Sequence, residues 1–184
     1  LTDISALQFE NKELREALRI KPEETFLSAF VIARPPQTSF DTLLINRGSS
    51  SNINVGDLVL ASDSTMVGKV LEVSRYSSIV LLNSSPSVYL GANISRTGDP
   101  VEVFGYGSGN LFGKVPIVTD IVVGDTVVIN YGKVFSNGVV KDIKTEETSG
   151  FKNIFLSLPV NISDLGVVFV LSPVDRAPAI DQPE

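Results

Sequence analysis

Ile53-Asn54-Val55-Gly56-Asp57-Leu58-Val59 and Ile121-Val122-Val123-Gly124-Asp125-Thr126-Val127 spell the same pattern, I-x-V-G-D-x-V, 68 positions apart (53 to 121). In each copy a Gly-Asp pair stands between short apolar stretches. Glycine takes a positive φ without a Cβ penalty, and an aspartate side chain bonds nearby backbone, so each copy reads as a turn feeding a β-strand. A second match follows each copy. Gly68-Lys69-Val70-Leu71-Glu72-Val73 and Gly138-Val139-Val140-Lys141-Asp142-Ile143 share G-x-V-x-acid-aliphatic. A repeated strand pair predicts two similar small barrels, because closing a short sheet removes its exposed edges. Chance similarity between Gly-Asp turns is the competing explanation.

Working outward from the repeat, runs of Val, Ile, Leu and Phe alternate with Gly, Asn, Asp, Ser and Pro clusters at strand-and-turn spacing. The pattern predicts strands over Phe26–Arg34, Thr42–Asn46, Leu58–Ala61, Met66–Val73, Ser78–Leu82 and Val88–Ser95. A second set falls over Val101–Tyr106, Leu111–Ile117, Thr126–Asn130, Val139–Lys144, Asn153–Leu158 and Val167–Leu171. The expected fold is therefore all-β, with one six-stranded barrel over residues 23–98 and another over 99–172. The sequence leaves open which barrel holds the last strand.

Residues 1–22 have a different texture. Ile4, Leu7, Asn11, Leu14 and Leu18 recur at alternating spacings of three and four, the seam of a parallel dimerising coiled coil. Pro22 stops that helix, since it lacks an N–H and disfavours helical geometry before it. An amphipathic helix packed on its own domain is the other reading. Starting at Leu1 inside this pattern, the chain is expected to follow a missing N-terminal segment with a membrane anchor. Residues 173–184, rich in proline and without periodicity, are expected to be a disordered tail.

Composition narrows the function. The chain has 184 residues, a net charge of −6 and no His or Cys. Without them, Ser-His-Asp and Cys-His catalysis and thiolate or imidazole metal sites are ruled out. The 15 basic residues are scattered, which argues against a nucleic-acid partner. Ser149-Gly150-Phe151-Lys152 fits S-x-x-K, but it lies in a polar loop before a strand, whereas the catalytic version opens a helix. Gly105-Tyr106-Gly107-Ser108-Gly109 reads as a hairpin turn, because a phosphate loop would run into a helix and this one runs into a strand. Ser136-Asn137-Gly138 reads as a tight turn, and the ten Phe and four Tyr read as core with no stacking ladder. No catalytic residue, cofactor or metal is expected.

In order along the chain, these pieces resemble the extracytoplasmic region of the MreC family of rod-shape-determining proteins. Glu10-Asn11-Lys12-Glu13-Leu14-Arg15 is similar to the E-N-x-x-L-R end of that family's coiled coil. Val31-Ile32-Ala33-Arg34-Pro35, Met66-Val67-Gly68-Lys69-Val70 and Ser77-Ser78-Ile79-Val80-Leu81-Leu82 resemble strands of its first barrel. Ile121–Val128 is similar to its second-barrel motif, and Leu158-Pro159-Val160-Asn161-Ile162-Ser163-Asp164-Leu165 to its closing segment. Ile129-Asn130-Tyr131 and Phe135-Ser136-Asn137-Gly138 depart from the family's T-S-G and F-P-x-G. The resemblance implies a homodimeric or filamentous scaffold of peptidoglycan elongation, anchored to the bacterial cytoplasmic membrane. Its implied partners are MreD, MreB, RodA and a class B penicillin-binding protein. A periplasmic adaptor of an efflux or secretion system is the alternative, although such adaptors carry a two-armed helical hairpin and only one arm is visible here.

If Asn11 sets the register of a parallel seam, it bonds its counterpart there and would be buried unpaired in staggered alignments, at a cost of ~1–3 kcal/mol. Asn11→Leu, in a chain extended N-terminally, should then raise stability while broadening oligomer size in sedimentation. Unchanged size and stability would place Asn11 outside the seam.

Overall fold

A computed structural model describes residues 26–38, 41–62, 64–146 and 149–171. The helix expected over 1–22, with Ile4, Leu7, Asn11, Leu14 and Leu18, and the tail expected over 173–184 lie outside the described residues. The described chain is all-β. Its strands are β1 (Phe26–Ala33), β2 (Thr42–Ile45), β3 (Leu58–Ser62), β4 (Thr65–Val73), β5 (Ser78–Leu82) and β6 (Tyr89–Ile94). They continue as β7 (Pro100–Gly107), β8 (Asn110–Pro116), β9 (Thr126–Asn130), β10 (Val134–Glu146), β11 (Phe151–Ser157) and β12 (Val167–Leu171). All twelve overlap the stretches expected from the sequence, and along β6 exposed and buried residues alternate strictly.

Hydrogen-bonded order runs β11-β8-β7-β6-β9-β10-β4-β3-β12-β1-β2-β5, with additional pairings β11–β10 and β4–β5. Those two pairings turn the sheet into two closed rings of six strands. The first ring is β1 to β5 with β12; the second is β6 to β11. This departs from the boundary expected at 98/99. β6 pairs with β7 and β9, and β12 slots between β1 and β3. The physical reason is edge satisfaction: β1 and β3 would each show an unpaired edge without β12. Sequence order carries no record of a partner more than a hundred residues away.

The repeat is realised atom by atom. Gly56 and Gly124 have φ of 88° and 95°. Asp57 and Asp125 each accept the backbone N–H three residues upstream, from Asn54 at 2.8 Å and Val122 at 2.9 Å. The Gly N–H of each turn reaches Val70 O or Val140 O, and the N–H of that valine returns to the turn's Asp O. The pairings β4–β5 and β10–β11 are both irregular just after these valines, at Val70/Glu72 and Val140/Asp142. A bulge bends a strand and increases its twist, so the same device curls both rings at the same place.

Ser136-Asn137-Gly138 is not the turn that its composition suggests. It lies inside β10, and a register shift between Ser136 and Gly138 absorbs the extra residue. The reversal comes earlier, at Tyr131-Gly132-Lys133, with Gly132 at φ 78°. Asn137 is fully buried and accepts a 2.6 Å hydrogen bond from the Asn83 side-chain amide. A buried bond partner from the other ring outweighs the local turn preference.

Two apolar cores fill the rings, one including Leu43, Ile45, Val59, Val80 and Val168, the other Ile94, Val103, Leu111, Val127 and Ile154. A third cluster joins them, with Phe135 of β10 buried against Leu58, Leu60, Met66 and Leu171. A parallel bridge pairs Ser136 with Thr65, and Ser136 N–H donates to Ser64 O at 2.6 Å.

Gly68 and Gly138 occupy equivalent repeat positions in unlike surroundings. A Cβ on Gly68 would stand 2.2 Å from Leu81 O, which is backbone held in the ladder. On Gly138 the tightest neighbour is the end of the Leu111 side chain, at 3.0 Å. Overpacking typically costs ~1–3 kcal/mol. Gly68→Ala is expected at or above the top of that range and Gly138→Ala at or below its bottom, measured by urea unfolding; equal costs would contradict the packing.

Candidate interaction surface

Ser149 and Lys152 do not form a dyad. The Ser149 hydroxyl donates to Glu146, at 3.1 Å to the carbonyl and 3.0 Å to Oε2, while Lys152 Nζ donates to Thr119 O at 2.8 Å. Gly105–Gly109 forms the β7–β8 hairpin, with Ser108 and Gly109 at its tip. Among the described residues no group of three His, Cys, Asp or Glu is placed to hold a metal ion.

What the fold does assemble is a row of aromatic side chains on the outer face of the second ring. Strand registers place Tyr89 opposite Phe104, Phe104 opposite Phe112, and Phe112 opposite Phe155. The Tyr89 and Phe104 ring centroids are 5.1 Å apart, and those of Phe112 and Phe155 are 5.5 Å apart in an edge-on arrangement. Tyr106, two residues from Phe104 on the same face, lies 6.4 Å from Phe112. Lys144 Nζ sits 5.2 Å from the centroid of Phe155 and ends the row with a positive charge. Tyr89, Phe104 and Tyr106 are 56%, 37% and 66% exposed.

This corrects the expectation that the aromatics are core. Phe135 is core, but these five project outward. The strand parities were legible, since Phe104 and Tyr106 alternate with buried Val101 and Val103 across the odd-even pleat. The strand neighbours were not, because adjacency across the ring depends on register. Large apolar rings standing side by side in water are out of place on a surface unless something covers them.

Polar groups hold the row in place. The Tyr89 hydroxyl donates to Glu102 Oε1 at 3.0 Å, which raises the phenol's pKa above its usual value, the hydrogen bond to Glu102 being the main cause. Glu102 stands opposite Lys114 across the strands, so one acidic and one basic residue lie beside the aromatic row. On β11, Asn153 donates to Glu146 Oε1 at 2.6 Å; bonds from Ser149 and Asn153 hold the Glu146 carboxyl below the usual range.

The strongest electrostatic feature is at the end of the ring, under the second Gly-Asp turn. Arg96 forks onto Asp125 with two 2.9 Å bonds and reaches Asp120 at 2.6 Å. Both carboxyls are held below their usual pKa, chiefly by the Arg96 hydrogen bonds. Asp125 is buried, so the fork neutralises a charge that the turn geometry obliges the ring to enclose.

The family model described as "Rod shape-determining protein MreC, barrel core" matches residues 31–172. The crystal structure of MreC from Pseudomonas aeruginosa is similar at a TM-score of 0.73 and 21% identity, over 79% of this chain and 98% of that one. The major periplasmic domain from the cell shape-determining filament MreC gives 0.62 and 19%, over 81% and 96%. A chain of the complex between Penicillin-Binding Protein (PBP2) and MreC from Helicobacter pylori gives 0.58 and 13%, over 83% and 100%. No curated protein matches the chain.

Carboxyls with depressed folded-state pKa values stabilise above the unfolded value, ~3.9 for Asp, and that contribution fades as pH falls through the folded value. Arg96→Gln should therefore lower the urea midpoint at neutral pH and move the acid loss of stability upward, toward pH ~4. An acid limb superimposable on that of the unaltered chain would show that the fork contributes nothing.

Proposed function

The chain belongs to the MreC family of rod shape-determining proteins, and on that premise we propose that it is a non-catalytic scaffold for the peptidoglycan elongation machinery outside the cytoplasmic membrane. Its role lies in cell shape. The observation that carries the scaffold reading is the outward row of exposed Tyr89, Phe104 and Tyr106 and half-buried Phe112 and Phe155, held on a closed ring. Rings that already stand in fixed order lose little side-chain freedom on docking, which favours them as anchors. The partner is a class B penicillin-binding protein; the complex of PBP2 with MreC in Helicobacter pylori supports this choice. Each ring acts as one barrel domain. The same reading extends to MreD, MreB and RodA as further partners, and to pairing of two chains through Ile4, Leu7, Asn11, Leu14 and Leu18. The adaptor alternative has no observation in its favour.

Truncating an aromatic anchor at the centre of an interface typically costs ~2 kcal/mol or more, roughly thirtyfold in affinity. Phe104→Ser and Tyr106→Ser should each weaken capture of the purified transpeptidase ectodomain of the same bacterium at least tenfold in calorimetry. Phe30→Ser, an exposed aromatic on the first ring, should leave capture unchanged. Unaltered affinity in both row variants, or equal loss in Phe30→Ser, would move the docking surface elsewhere.

A further inference from the structure

The two rings enclose a cleft of about 600 Å³ between the β7–β8 hairpin tip, the start of β2 and the segment that crosses from β11 to β12. We propose that this cleft binds an extended peptide segment carrying a primary ammonium group, with Asp41 as its counter-charge. The inference is independent of the aromatic row and of any partner that docks there.

The volume lies within the range of small-ligand sites, which concentrate where packed units meet. Among the described residues lining the cleft, Asp41 alone is charged, so the complementary ligand group is a cation. Asp41 Oδ1 is committed to the fold: it accepts the Ser108 N–H at 2.8 Å and the Ser84 hydroxyl at 3.4 Å. Oδ2 points to Gly107, standing 3.6 Å from where a Cβ would be, so the missing side chain leaves room beside it. The carboxylate is thereby aimed by one oxygen while space is kept at the other.

The backbone at this spot is unusual on both sides. Asp41 and Ser108, from different rings, have φ of 51° and 52°, a left-handed conformation that few residues other than glycine adopt. They are two of the three non-glycine residues with positive φ among those described, and they bond each other. At Ser108 the hairpin tip accounts for the conformation, since a two-residue turn takes positive φ at both Ser108 and Gly109, and Asp is among the residues that tolerate this region, so the two bonded residues fix the rim of the cleft. The opposite wall favours a peptide. Leu158, Pro159 and Ile162 give it apolar surface, and prolines 35, 36 and 159 offer carbonyl acceptors without N–H donors. A peptide's N–H groups and apolar side chains complement that lining, and a lysine-type ammonium completes it at Asp41.

The probe is the blocked peptide acetyl-Val-Lys-Val-Pro-amide, titrated into the ¹⁵N-labelled full chain, with norleucine replacing lysine as the control. Saturable shifts are expected at Ser108, Gly109, Asn110, Asn161 and Ser163. The norleucine peptide should bind roughly tenfold more weakly, as should the lysine peptide to Asp41→Asn, which keeps the Oδ1 acceptor for Ser108. The norleucine comparison uses the unaltered chain, so it stands even if Asp41→Asn misfolds. Equal binding of the two peptides, shifts confined to other surfaces, or no saturable shift up to ~5 mM, about 3 kcal/mol of binding, would overturn the proposal.

Discussion

The first ring closes only because β12, five residues long, pairs with β1 on one side and β3 on the other. Everything else in the molecule is arranged around that late pairing. β1 to β5 bury an apolar face, but before β12 arrives their sheet has two unpaired edges, and an open edge in water pairs with whatever strand it meets. The second ring has no such dependence, since its strands follow one another from Tyr89 to Ser157. The chain thus completes one ring in sequence and returns to seal the other. The crossing segment that makes this possible carries Ile162, which packs against both ring cores, and receives a hydrogen bond from the Arg34 guanidinium at Ser163 O. Closure and the ring-to-ring arrangement are therefore one event.

The junction between the rings combines two kinds of contact with different consequences. Phe135 and its neighbours supply non-directional apolar burial, which would tolerate sliding. Asn83 to Asn137 and Asp41 to Ser108 are directional, and a shift of an ångström or two would break both and leave the buried Asn pair without its bond. Gly105 adds a steric limit, because a Cβ there would fall 1.9 Å from Ser85 O, so the second ring rests directly on the connector leading out of the first. Together these contacts hold the outer surfaces of the two rings in a fixed relation.

The aromatic row illustrates how a barrel builds a surface that no single strand contains. Tyr89, Phe104, Phe112 and Phe155 come from four strands spread over 67 positions (89 to 155, both counted). Each ring is partly covered by its neighbour, and Glu102 fixes the first through its hydroxyl. The row is consequently both apolar and ordered, the combination that makes association favourable without a large ordering cost.

The sequence by itself determined the elements. The alternation of apolar and polar residues located all twelve strands, and the I-x-V-G-D-x-V repeat located both turns with their carboxylate bonds, because these are contacts between residues near in the chain. It also carried the family likeness, through the order of those local pieces. Tertiary structure alone decided what depends on residues far apart: that β6 belongs to the second ring and β12 to the first, that Ser136-Asn137-Gly138 is a bulge, and that outward aromatics stand in one row. Local preference at Asn137 and Gly138 favours a turn, but a buried partner at Asn83, 54 residues away, reverses it. Strand parity fixes which face a side chain takes, whereas register between strands, set by closure of the ring, fixes its neighbour.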